Sequence, residues 1–396
     1  MIYNFDEIID RHGTYSSKWD ADKMALAKGW VPNYDERSIP LFTADMDLPS
    51  PQPVVDAMHR VADFRMYGYT AIDGAPGFHE AIVGWFRRHH GWEIDPATLV
   101  YVDGTVKAIA LAIRAFTQPG DGVIVTRPVY GPFTGSVENN GRTVVNSPLI
   151  DRDGYYTMDF EDIERKAQDP KNKMFLLCNP HNPTGRVWTP EELRTLSEIC
   201  VRNGVLLVSD EVHCDILRRG VKFTPALCVA DPENTIALNA INKTFNLAGL
   251  HCSHAVIPNV RLREQYAKLA DCPITPFAIA ALMAAYNEGD EWYEQAMDYI
   301  AGNIDWVLGF LEERLPLAKC RRPEGTYVMW IDFSAYGLSP EEQCDLIYHK
   351  ADVLLENGRC FDPNGTSGGY ERICTPSPRP LIVEAMERIA DAFDRR

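Results

Sequence analysis

A series of short apolar runs, each followed by a helical pattern, constrains this 396-residue chain more than any other feature. Leu99–Val102, Val123–Val125, Thr143–Val145, Met174–Cys178, Val205–Val208 and Ile236–Leu238 are too short for helices and carry no polar alternation. Strands of that kind are buried on both faces, and helices between them make the sheet mainly parallel. Thr105–Phe116 has apolar residues at helical spacing. Pro190–Val201 opens with Thr189 as N-cap, Pro190 in the first position and Glu192 three residues after the cap. The expected fold class is therefore α/β, a mainly parallel central sheet covered by helices.

The length suits two domains. Residues 1–50 read as an extended arm with a short helix, packing with the smaller domain. Residues 51–288 read as a large domain whose pattern alternates, and residues 289–396 as a small α+β domain. Glu291–Glu313 is the longest candidate helix and bridges the two. Tyr327–Ile331 and Arg372–Cys374 read as strands, Ser339–Lys350 and Pro380–Phe393 as helices.

Thirty-nine basic against 56 acidic residues give a net charge of −17, which argues against nucleic acid or an anionic membrane as partner. No run of ~18 apolar residues predicts a transmembrane helix. Ten cysteines without a CxxC pair or a regular framework fit a reducing cytoplasm. His89-His90 and His251-Cys252-Ser253-His254 lack partner pairs at zinc-site spacing, so no metal is expected.

Ligands of open α/β sheets lie beyond the carboxyl ends of the strands, where four features fall. Asp103-Gly104-Thr105-Val106 places glycine and free amides at a helix N-terminus, which suits phosphate. Asn179-Pro180-His181-Asn182-Pro183 forms a turn that presents an amide side chain. Asp210 ends an apolar strand and needs a cationic partner or several donors. Lys243 follows another apolar run with no other charge beside it, so its amine is a candidate for carbonyl chemistry. Together these describe a pyridoxal phosphate site, with Lys243 forming the Schiff base and Asp210 keeping the pyridine nitrogen protonated.

The chain also resembles, over nearly its whole length, the fold-type I pyridoxal phosphate enzymes, and within them the MalY/PatB-type cystathionine β-lyases, or C–S lyases. The resemblance rests on Arg11-His12-Gly13-Thr14 with Lys18-Trp19-Asp20, Ala44-Asp45-Met46-Asp47, Tyr67-Gly68-Tyr69 and Pro128–Phe133. It continues through Asn179–Arg186, Ser209–Asp215, Lys243–Leu250 and Glu324–Tyr327. It implies Lys243 as the catalytic lysine, Asp210 as the pyridinium partner, Asn182 as a donor to the ring oxygen and Tyr130 as the stacking ring. Gly104, Thr105 and Val106 would hold the phosphate, with Tyr69 reaching in from the second subunit of a homodimer. Arg372 would clamp the substrate α-carboxylate, Arg379 being a secondary choice, and His213 would lie beside the ring. The chain departs from the family at Asn242, where Ser is common, at Gly131, in place of a second tyrosine, and at Cys374-Thr375-Pro376, where an Asn is usual. These departures bear on substrate choice more than on cofactor binding.

The implied reaction is β-elimination from a cysteine S-conjugate such as L-cystathionine, giving homocysteine, pyruvate and ammonia. An aminotransferase would use the same residues and is the alternative. A non-catalytic, cofactor-binding regulatory protein is the second alternative, disfavoured by the presence of Lys243, Asp210 and Arg372.

Overall fold

The computed structural model describes residues 1–20, 37–71, 75–271, 273–365 and 367–396. Seven strands form the main sheet: β1 (Leu99–Val102), β2 (Gly122–Val125), β3 (Thr143–Asn146), β4 (Asn172–Cys178), β5 (Leu206–Asp210), β6 (Thr235–Ala240) and β7 (Ser253–Val256). Their order is β1-β7-β6-β5-β4-β2-β3. Every pairing is parallel except those of β7, which runs antiparallel to β1 and to β6. β7 was not legible in the sequence, because Ser253 and His254 interrupt its apolar character.

The apolar strands bury alternate residues on opposite faces. Val123, Val125, Met174, Leu176 and Val208 enter one core, and Ile124, Phe175, Leu177 and Leu207 enter another. Helices cover both. α1 (Gln52–Phe64) and α2 (Phe78–His90) precede the sheet. α3 (Thr105–Phe116) buries Ala108, Ile109, Ala112 and Ile113 on the first face, and α4 (Pro190–Asn203) buries Leu193, Leu196 and Ile199 on the second. α4 begins with the expected reciprocal cap between Thr189 and Glu192.

α5 (Pro276–Glu288) leads into α6 (Asp290–Arg314), whose 25 residues extend it over ~37 Å. A second, antiparallel sheet follows, formed by β8 (Val328–Asp332), β9 (Glu356–Asn357) and β10 (Tyr370–Cys374) in the order β8-β10-β9. The expected helix from Ser339 to Lys350 is α-helical only over Pro340–Cys344, and its remainder, Asp345–Lys350, widens to π-type turns. α7 (Arg379–Asp394) ends the fold.

The N-terminal segment is tied to this second unit. Ile39 and Pro40 pair in parallel with Val353 and Leu354, and Cys374 N donates to Leu41 O at 2.9 Å. The described residues of 1–50 contain no helix, and residues 21–36 of that stretch lie outside the description. Among the described residues the cysteines are free, and no helix is long and apolar enough to cross a membrane.

Candidate active site

Because β1, β2, β4, β5 and β6 run in one direction, their carboxyl ends share one edge of the sheet. The chain segments leaving that edge enclose a cavity of about 450 Å³. Gly104, Thr105, Val106, Tyr130, Asn182, Asp210, His213, Asn242 and Lys243 all line it. Ala44, Asp103, Lys107, Phe133, Cys178, Val212, Ala248 and His251 complete the wall; the sequence had given none of these eight side chains a role in the site.

Each wall residue is held by local structure. Gly104 sits before α3 with φ +148°, a backbone that L side chains rarely adopt, so the amides opening α3 face the cavity without a side chain in front. The turn carrying Asn182 is pinned by Arg186. This buried guanidinium bonds both Glu192 oxygens at 2.9 Å and Glu324 at 2.6 Å, joining the turn to α4 and to the approach of β8. The turn carrying Lys243 is fixed through its neighbour. Thr244 Oγ1 donates to Asp215 at 2.6 Å, and Asp215 also accepts from Trp85 Nε1 at 3.0 Å and faces His90 Nε2 at 2.7 Å.

Lys243 donates to Ala44 O, which also accepts from Tyr327 Oη at 3.0 Å. Burial lowers the lysine pKa below its ordinary value, with Asp45 pulling the other way, so the neutral amine becomes more accessible. Asp210 is 6% exposed, accepts from Val212 N at 3.1 Å and forms no ion pair among the described residues. Burial pushes its pKa up to about 7, against the Val212 amide and Lys243. A carboxylate so placed is stabilised by a cation brought to it. His213 is buried, lies edge-on to Tyr327 with ring centres 5.4 Å apart, and is held neutral by burial and then by Lys243 and Arg372. Burial raises the Tyr130 hydroxyl to about 12, keeping it protonated.

Arg372 does not line the cavity but abuts it through Asn182, whose Oδ1 it reaches from Nη1 at 3.2 Å. The guanidinium is 1% exposed, ion-paired with Glu356, bonded to Phe42 O and set 5.0 Å from the Phe361 ring centre. Tyr69 is fully exposed and off this cavity. Arg379 does not line it either: its amide donates to Tyr299 Oη and its Nε to Asn303 Oδ1.

Three buried polar atoms near the cavity have no hydrogen-bond partner among the described residues: Asn242 Oδ1, His213 Nδ1 and Arg372 Nε. Such atoms cost free energy unless something polar meets them. A group with an anionic end and a basic aromatic ring fits these walls, its anion at the amides of α3 and its ring nitrogen at Asp210. The expected cofactor has that chemistry. Away from the cavity, His90, Cys214 and Asp215 bring ligand-type atoms within 4.8 Å of one another, a grouping that the histidine spacing did not reveal. The bonds to Trp85, Thr244 and His90 already engage the Asp215 carboxylate.

A sequence model of the family described as aminotransferase class I and II matches residues 38–389. Cystathionine beta-lyase PatB of Bacillus subtilis is 38% identical over 396 residues, spanning 98% of this chain and 100% of that protein. The crystal structure of cystalysin from Treponema denticola, which contains pyridoxal 5′-phosphate, superposes with a TM-score of 0.94 at 33% identity over 100% of both chains. The pyridoxal-phosphate-bound C–S lyase from Staphylococcus hominis gives a TM-score of 0.91 at 32% identity, covering 99% of this chain and 98% of that one.

Proposed function

We propose, from the premise that this chain belongs to the aminotransferase class I and II family, that it is a pyridoxal 5′-phosphate-dependent carbon–sulfur lyase. Its reaction is β-elimination from cysteine S-conjugates, L-cystathionine giving homocysteine, pyruvate and ammonia. One observation carries the reading: a single cavity joins Lys243, whose ammonium burial disfavours, to Asp210, whose buried carboxylate forms no ion pair among the described residues. The likeness to PatB and to the C–S lyase structures over essentially the whole chain supports elimination over transamination.

In this reading Gly104, Thr105 and Val106 hold the phosphate at the start of α3, and Asn242 lies beside them. Asp210 would keep the ring nitrogen protonated, Asn182 and His213 would meet the ring edge, Tyr130 would cover the ring face, and Lys243 would be the point of covalent attachment. The cofactor, when bound, supplies an electron sink that makes the Cα–H of a bound amino acid acidic. Arg372 takes the α-carboxylate, its Nε being the donor left open. The Lys243 amine, its pKa lowered by burial, accepts the Cα proton. A sulfur substituent on Cβ then departs readily, because an ordinary thiol ionises near pH ~8.5. The neutral His213 adds no positive charge beside the ring.

We read residues 51–288 and 289–396 as the large and small domains, with residues 1–50 as an arm on the latter. We also read the chain as a cytoplasmic homodimer, in which the exposed Tyr69 reaches the partner's phosphate site. Light scattering gives the mass, and Tyr69→Phe should weaken cofactor retention without changing that mass.

The activity is tested by incubating the holoenzyme with L-cystathionine and no keto acid. Pyruvate should accumulate continuously. Product that appears only after a keto acid is added would assign the protein to transamination.

A further inference from the structure

Glu356 has no part in the mechanism above, yet it sits against the arginine that the mechanism needs. In the β9–β10 pairing Glu356 directly opposes Arg372, so the two side chains leave the same face of the small sheet. They form an ion pair in which Arg372 is 1% and Glu356 15% exposed. Arg372 also donates to Phe42 O and Asn182 Oδ1, and its Nε has no partner among the described residues. A substrate α-carboxylate that reaches this guanidinium therefore meets a cation already balanced by a carboxylate.

Two other carboxylates nearby already have partners. Asp45 is paired with Arg11 at 2.9 Å and Asp103 with Lys107 at 2.8 Å. Asp210, the buried carboxylate of the wall, is taken up by the ring nitrogen in the reading above. Burial raises the Tyr130 hydroxyl, which lines the cavity; Arg372 then lowers it and Glu356 and Asp210 raise it, so both charges of the Arg372–Glu356 pair are felt at the cavity wall. A further anion on the substrate would enter beside a guanidinium whose charge Glu356 already balances, and a charge left unpaired in such a place is costly.

We propose that Glu356 is a specificity-determining residue: its carboxylate disfavours cysteine conjugates with an anionic sulfur substituent and favours those with a cationic or zwitterionic one. The inference rests on the lyase reading and narrows its substrate class. Cystathionine, whose leaving group is zwitterionic, falls inside that class, and acidic conjugates and dicarboxylic amino acids fall outside it.

The test compares kcat/KM of the holoenzyme for pyruvate release from S-methyl-L-cysteine, S-(2-aminoethyl)-L-cysteine and S-carboxymethyl-L-cysteine. Their sulfur substituents are neutral, cationic and anionic. Wild type should prefer the cationic conjugate to the anionic one. Glu356→Gln should shrink that ratio about tenfold, ~1.4 kcal/mol, mainly through a lower KM for the anionic conjugate, and Glu356→Asp should keep it near the wild-type value. Wild type without the preference would overturn the proposal even if neither variant folds. An unchanged ratio in Glu356→Gln would also overturn it, and so would an equal loss on all three substrates, which would make Glu356 only a prop for Arg372. If wild type releases no pyruvate from any conjugate, the elimination reading falls. The same ratio, taken from dissociation constants read by cofactor absorbance, then decides the role of Glu356.

Discussion

Replacing Asp210 with Asn should stabilise the cofactor-free protein at alkaline pH while weakening its hold on the cofactor. The carboxylate is buried, with one amide donor from Val212, and its pKa rises from an ordinary 3.8 to about 7. A folded-state value above the unfolded one gives a contribution that is fully present below the unfolded pKa and lost as pH rises through about 7. At 1.36 kcal/mol per decade of proton affinity the loss approaches ~4 kcal/mol, and water entering the open cavity reduces it to ~2 kcal/mol. Unfolding a chain of 396 residues releases ~0.8 kcal/mol per kelvin near 60 °C, so the uncharged amide should raise Tm by ~2–5 °C at about pH 8.5. Near pH ~5, where the wild-type carboxyl is mostly protonated, the gain should be smaller. The cofactor-bound protein behaves in the opposite way. Opposite charges in contact at an effective dielectric constant of about 20 attract by ~4 kcal/mol, so cofactor affinity should fall by ~10²–10³-fold. Calorimetry of the stripped proteins at the two pH values and a fluorescence titration with the cofactor measure both effects. A Tm gain that is equal at both pH values, or a lower Tm for the variant at alkaline pH, would refute the electrostatic reasoning.

Three further outcomes follow from single positions. Gly104→Ala places a Cβ in open space but at φ +148°, so backbone strain of ~1–3 kcal/mol should appear as lower stability and weaker phosphate binding, read by melting and by cofactor titration. Thr189→Ala removes the N-cap of α4 and should cost ~1 kcal/mol in chemical unfolding, with kcat unaltered. Thr244→Val leaves Asp215 without its 2.6 Å hydroxyl donor next to the lysine turn, and should lower kcat more than it raises KM.

Much of this arrangement was legible because its physics is local. Continuous apolar runs marked β2, β4, β5 and β6, the Thr189–Glu192 pair marked the start of α4, and charged or amide residues at strand ends marked the cavity wall. What escaped depends on contacts distant in sequence. β7 is short and carries Ser253 and His254, whose burial is set by the strands on either side. β9 has two residues, too few for any periodicity, so nothing placed Glu356 opposite Arg372. His251 and Cys178 join the wall only because their segments leave the same sheet edge. The sequence placed Arg372 ahead of Arg379 as the carboxylate-binding arginine but kept both. They differ because α7 turns Arg379 toward Tyr299 and Asn303, whereas β10 sets Arg372 against Asn182.

The covalent role of Lys243 is tested most directly by mixing wild type with a stoichiometric amount of pyridoxal 5′-phosphate, reducing with borohydride and mapping the labelled peptide by mass spectrometry. The account predicts that the cofactor mass resides on the peptide containing Lys243 and disappears in Lys243→Ala. A label on Lys18 or Lys107 instead, or one that persists in the variant, would contradict it.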